Sequence, residues 1–109
     1  KKDWHTDAER LAFVTHRVLV SLGDYPANAF DELLGSGWAK GIEPESSAGL
    51  NAALLLRACT SLYAHMGGDK ENIRHWMQTL NSGTRGVPCE QVRSVETLQV
   101  VVDYLEGMR

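Results

Sequence analysis

Four histidines and two cysteines are the side chains best suited to chemistry here: His5, His16, His65, His75, Cys59 and Cys89. Helix-borne metal centres place such ligands three or four residues apart, and loop-borne zinc sites repeat close pairs. None of the six has that spacing, so neither a metal nor a cofactor is expected. The histidines read as solvent-facing or helix-end residues. His65 falls near the C-terminus of a long helix, where a protonated imidazole suits the helix dipole. Cys59 lies among apolar neighbours, where a free cysteine behaves as a small hydrophobe. Cys89 follows Pro88 at a helix start, a setting that can lower a thiol's pKa. Two such cysteines predict reduced thiols in a cytoplasmic setting rather than a disulfide framework. No Gly-x-Ser-x-Gly, phosphate loop, dinucleotide fingerprint or EF-hand loop occurs, and Gly35-Ser36-Gly37 is only a flexible breaker. With the carboxylates scattered, no catalytic residue is expected, and the chain reads as a binding domain rather than an enzyme.

Charge narrows the partners. Fourteen acidic against eleven basic residues leave a net −3, and Asp24, Asp31, Glu32, Glu43 and Glu45 make the 24–45 stretch acidic. Nucleic-acid binding needs a positive surface that displaces counterions. A helix-turn-helix can be drawn through Val14–Leu34, with Gly23 in the turn and Pro26–Leu34 as recognition helix. That helix offers Asn28 alone to base edges, followed by Asp31 and Glu32, so DNA binding is possible but weak. No membrane association is expected, because the longest apolar cluster, Leu50 to Met66, is broken by Asn51, Arg57, Thr60, Ser61 and His65 and falls short of the ~20 residues a span needs. The chain opens Lys1-Lys2-Asp3-Trp4, without an initiator methionine or secretory signal, and reads as the trimmed start of a longer one.

The elements that must position a binding surface are helices. Thr6-Asp7-Ala8-Glu9 has capping-box spacing and opens a helix to Leu22, with Leu11, Val14, Val18 and Leu22 on one face and Phe13, Leu19 and Val20 beside it. A second helix is predicted over Pro26–Leu34, followed by a loop carrying Trp38 and Ile42. The main helix is predicted from about Glu45 to Met66, with Leu50, Ala53, Leu54, Ala58, Leu62 and Met66 on one face. Leu55, Leu56, Cys59 and Tyr63 widen that face until most of the circumference is apolar. Such a helix is the central post of a bundle, or one of its faces is a dimer seam, and a homodimer is expected. Gly67-Gly68 stops it and Asp69 caps a helix over Lys70–Leu80, with Ile73, Trp76, Met77 and Leu80 in register. Pro88 opens a short turn to Val92, and a last helix spans about Val95 to Met108. No strand alternation is sustained. The fold class is all-α, a compact bundle of five or six helices around a central apolar helix. Residues 1–44 form an N-terminal helical region, a degenerate helix-turn-helix or dimerisation part, and 45–109 a second helical domain.

The most informative stretch is 73–109. His75-Trp76-Met77, Thr79, Asn81, Gly86, Pro88, then Leu98, Val101-Val102, Tyr104-Leu105 and Met108-Arg109 resemble the toxin-binding domain of the Xre/MbcA/ParS antitoxins. That family's pattern is a helix ending in Trp then Leu or Met, an Asn-containing loop with Gly and Pro, and a closing amphipathic helix. Leu62-Tyr63-x-x-Met66-Gly67-Gly68-Asp69 also suits it. The resemblance covers roughly the last 50 residues, and residues 1–60 only in general helical character. Two departures are visible: the loop between Asn81 and Pro88 is about a residue shorter than the commonest version, and Thr97 stands where many members carry Gly.

The resemblance implies a cytoplasmic bacterial antitoxin that neutralises a RES-domain, NAD-degrading toxin by covering its active site. Many members also repress their own operon through an N-terminal helix-turn-helix. Trp76, Met77, Leu98, Val102 and Leu105 sit at core spacings and are expected to pack. Asn81, Gly86 and Pro88 are expected to shape the loop. The toxin-contact candidates are the residues a fold does not require: Arg74, Thr84, Arg85, Tyr104, Met108 and Arg109. Two other functions compete: a DNA-binding transcriptional regulator, and a helical module that only dimerises.

Overall fold

Three of the helices begin where a side chain can take up the amides that the first turn leaves unpaired. In a computed structural model, which describes residues 6–26 and 28–107, Thr6 Oγ1 accepts from the Glu9 amide at 3.1 Å while the Glu9 carboxylate accepts from the Thr6 amide at 2.9 Å. This reciprocal cap opens α1, Asp7–Leu22. Ser46 Oγ accepts from the Gly49 amide at 3.0 Å and opens α3, Ser47–His65. Asp69 accepts from the Glu71 and Asn72 amides and opens α4, Lys70–Gln78. Between α1 and α3 lie the one-turn α2, Asp31–Leu34, and a 3-10 turn, Trp38–Lys40. Pro88 starts the short α5, Pro88–Gln91, and α6 spans Val95–Gly107. Among the described residues there is no strand, only an isolated bridge between Asn81 and Gly86. The described residues are all-α, six α-helices and one 3-10 turn in a compact globule.

α3 is the central post. It packs on α1, α2 and α6, while α4 bridges α1 and α5. Ala52, Leu55, Ala58 and Leu62 of α3 meet Leu98, Val101, Val102 and Leu105 of α6 in a single buried cluster that also takes in Phe30, Leu33, Leu34, Trp38 and Ile42. A bidentate pair, Arg57 with Glu106 at 2.6 and 3.0 Å, ties α3 to α6 at the surface.

The structure departs from the sequence expectations in four places. α2 spans four residues rather than nine. Phe30 at its start has no side chain to cap with, and burial of Ala29, Phe30, Leu33 and Leu34 shapes the segment instead. The buried face of α1 is Ala12, Thr15, Leu19 and Leu22; of the expected stripe Leu22 is buried, Leu11 and Val18 pack partly buried against the core, and Val14 lies outside. Small side chains at 8 and 12 let the 41–42 backbone lie on the helix, with the Ile42 amide donating to the Ala8 carbonyl at 3.0 Å, and Thr15 satisfies its own hydroxyl on the Leu11 carbonyl at 2.7 Å. That rotation leaves Phe13, Val14 and Val20 outside, 62 %, 44 % and 54 % exposed. On α3 the turn is similar: Leu50 and Ala53 point outward, Leu54 and Leu56 are half-buried, and Leu50 and Tyr63 remain 64 % and 56 % exposed. Finally, α4 stops at Gln78. Thr79 adopts extended backbone and its hydroxyl donates to the His75 carbonyl at 2.6 Å, so Leu80 leaves the helical register.

Candidate partner-binding surface

The loop from Thr79 to Val87 is built from its own polar groups. The Asn81 amide donates to the Gly86 carbonyl at 2.9 Å, the Gly86 and Arg85 amides donate back to the Asn81 carbonyl, and the Asn81 side-chain oxygen accepts from the Gly83 and Thr84 amides at 2.7 and 3.2 Å. Gln91 of α5 reaches across and donates its amide to the Thr84 carbonyl at 2.7 Å. Asn81 therefore organises the loop, as its position between α4 and α5 requires.

Two close approaches fix the loop against the bundle. The Tyr104 ring of α6 lies on Gly83, so close that a Cβ there would sit 2.1 Å from Cε1. Gly86 faces the Gln91 side chain, where a Cβ would meet it at 2.8 Å. Arg85, between them, has φ 62°, the only non-glycine in the left-handed region among the described residues. Such a conformation costs roughly 1–2 kcal/mol for a residue with a Cβ, and here it turns a cationic side chain outward from a loop held at both ends. Leu80, in the same loop, is 73 % exposed. The loop thus presents an aliphatic and a guanidinium group, with the half-buried Tyr104 against its Gly83.

The sequence candidates are dispersed differently. Arg85 and Tyr104 come together at this loop. Thr84 belongs to the same loop but is buried, 1 % exposed, its hydroxyl directed to the Gly86 carbonyl at 3.4 Å. Arg74 lies elsewhere: its guanidinium donates to the Val20 carbonyl at 2.8 Å and approaches Asp24 at 3.5 Å, tying α4 to the end of α1. Met108 and Arg109 lie outside the described residues. Of the expected packing residues, Met77, Leu98, Val102 and Leu105 are buried and Trp76 is half-buried against the core, and Pro88, expected to shape the loop, is buried too. Leu80 was placed in the core by its spacing from Ile73 and Met77, and only the extended backbone at Thr79 brings it to the surface.

Two long-range hydrogen bonds, not visible as motifs, anchor α5. The Tyr25 hydroxyl donates to the Cys89 carbonyl at 3.0 Å, and the Arg93 guanidinium donates to the Ala29 carbonyl at 3.2 Å. Burial pushes the Tyr25 phenol well above its ordinary value. Cys89 is also pushed up, by burial first and by Glu90 second, so the helix-start lowering expected for it does not occur: α5 is one turn long and its carboxylate neighbour opposes the effect. Burial likewise raises Cys59, against which Ser21 Oγ lies at 3.9 Å. Among the described residues no three His, Cys, Asp or Glu side chains gather as metal ligands, and no helix is long and apolar enough to cross a membrane.

The surface built by this loop and α6 falls within a stretch that matches a known family. The antitoxin Xre/MbcA/ParS C-terminal toxin-binding domain matches residues 61–109, a little under half of the chain. No curated protein gives a significant match to the chain.

Proposed function

We propose that this chain, whose residues 61–109 match an antitoxin toxin-binding domain, is the antitoxin of a bacterial type II toxin–antitoxin pair and neutralises its toxin by direct contact. The observation that carries the reading is the coincidence of that match with a loop that exposes both Leu80 and Arg85. Interfaces draw most of their energy from a few such groups, an apolar anchor beside an arginine, surrounded by contacts that exclude water. The contact surface is Leu80, Arg85 and the edge of Tyr104. The target is a RES-domain toxin that degrades NAD, as the resemblance of residues 73–109 implies, and an arginine suits the anion-binding cleft such an enzyme requires. The chain acts in the cytoplasm as a homodimer, and its acidic 24–45 stretch leaves it little affinity for DNA.

Co-expression with the toxin encoded next to it, followed by capture of the complex, tests the proposal. A Leu80→Asp, Arg85→Glu double variant should melt like wild type yet lose neutralisation. If that folded variant still protects cells at wild-type dose, the surface is wrongly assigned. If wild type neither captures nor neutralises the neighbouring product, the antitoxin reading fails.

A further inference from the structure

We propose that two copies of this chain pair antiparallel along the outer face of α1, with the two-fold axis passing at Phe13. This rests on the homodimer reading above and moves the contact from α3 to α1. Phe13 and Val20 are 62 % and 54 % exposed on a helix whose inner face is already buried by Ala12, Thr15, Leu19 and Leu22. At about 100° per residue, Thr6, Glu9, Phe13, Arg17 and Val20 lie within roughly 40° of one line along the helix. Next to that line runs a groove of about 650 Å³ between α1 and the 3-10 turn, lined by Ala12, Phe13, His16, Ala39 and Lys40.

The charges choose the occupant. Glu9 and Arg17 stand four residues before and four residues after Phe13. Turning a second copy about an axis at Phe13 sets Glu9 of each against Arg17 of the other, twice, and lays Val20 of each over Thr6 of the other. Arg10, 3.4 Å from Asp7, then falls opposite His16. A parallel pair would instead oppose Glu9 to Glu9. A partner helix carrying one sign of charge would match only one end of the stripe. A face that complements itself under a two-fold rotation is what an isologous contact requires. The Arg17 guanidinium already lies 5.8 Å from the Phe13 ring centroid, beside the apolar centre it would flank.

Charge exchange tests this with the full chain, by sedimentation at tens of micromolar. Glu9→Lys alone and Arg17→Glu alone each oppose like charges at two places and should weaken dimerisation at least about tenfold. Mixing the two variants restores both pairs in the heterodimer, so dimers should return to within a few-fold of wild type. Glu9→Lys also removes the cap on Thr6, but mixing cannot restore a cap, so rescue reports the contact itself. As a check independent of those variants, Phe13→Cys should cross-link to its own copy under mild oxidation while wild type does not, because a residue on the axis meets itself. A wild-type monomer overturns both this contact and the homodimer reading. A wild-type dimer that is indifferent to the single changes, or not rescued on mixing, or not cross-linked at position 13, overturns the contact on α1 and leaves the dimer standing.

Discussion

Arg85 is the residue where stability and binding pull apart. Its left-handed backbone favours glycine, so Arg85→Gly should leave the melting temperature unchanged or slightly higher, since relief of about 1–2 kcal/mol of strain is offset by glycine's greater unfolded-state entropy of about 0.5–1 kcal/mol. Toxin affinity should fall all the same, measured by titration calorimetry. A residue kept only for folding would show the opposite pattern. Tyr25 makes the complementary case. Its phenol holds its proton more tightly in the folded state than its ordinary value of 10.0 allows, so the stability it supplies is complete below about pH 10 and lost as the pH climbs beyond. Tyr25→Phe should therefore cost about 1 kcal/mol at neutral pH, through the lost bond to the Cys89 carbonyl, and should flatten the alkaline decline in denaturant midpoints.

At the scale of the element, the joint before α3 is the least forgiving. Gly49 sits in the first turn of that helix, and a Cβ there would lie 2.2 Å from the Glu43 carbonyl oxygen and 2.4 Å from that of Pro44. Both are backbone atoms, so Gly49→Ala should cost about 2 kcal/mol or more in chemical denaturation, against a gain of under 1 kcal/mol from helix propensity. The contrast with Gly23, which has an ordinary 3.7 Å neighbour, shows that burial depth alone does not set such costs. The same distinction separates what was readable in the sequence from what was not. The caps at Thr6 and Asp69 depend on three or four consecutive residues, and α1 and α4 follow from them. The core residues of α6 follow from one helical period. What escaped were features fixed by distant backbone. Ala12 and Thr15 replace larger residues on the inner face of α1 because residues 41–42 lie against it. Thr84 is buried because Gln91 and Asn81 hold its backbone from two sides, though a threonine between Gly83 and Arg85 reads as exposed loop. Leu80 carries the right spacing for a core position, and a single extended residue before it reverses its fate.

For the molecule as a whole, the distribution of charge predicts how it meets DNA. α2 carries Asp31 and Glu32 at its start and buries Leu33 and Leu34, leaving no helix in this region free to enter a major groove. A gel shift with its own upstream DNA should show no sequence-selective binding below about micromolar at physiological salt. The candidate partner surface, by contrast, depends on the whole bundle, since the loop is wedged between α5, which leans on Tyr25 and Ala29, and α6, which leans on α3.

That last contact has a consequence for how the protein comes into being. α3 presents Leu55, Ala58 and Leu62 to a partner helix that begins thirty residues after α3 ends, at Val95. During translation the post is therefore made long before the piece that covers it, and the emerging chain has an open apolar flank until α6 clears the ribosome. A nascent chain halted at Arg93 should be digested rapidly by a protease that the finished protein resists. Under the proposed function, neutralising capacity would then appear only once α6 has been made, and a message cut within the α6 codons would yield a product removed by proteolysis rather than a weakened inhibitor.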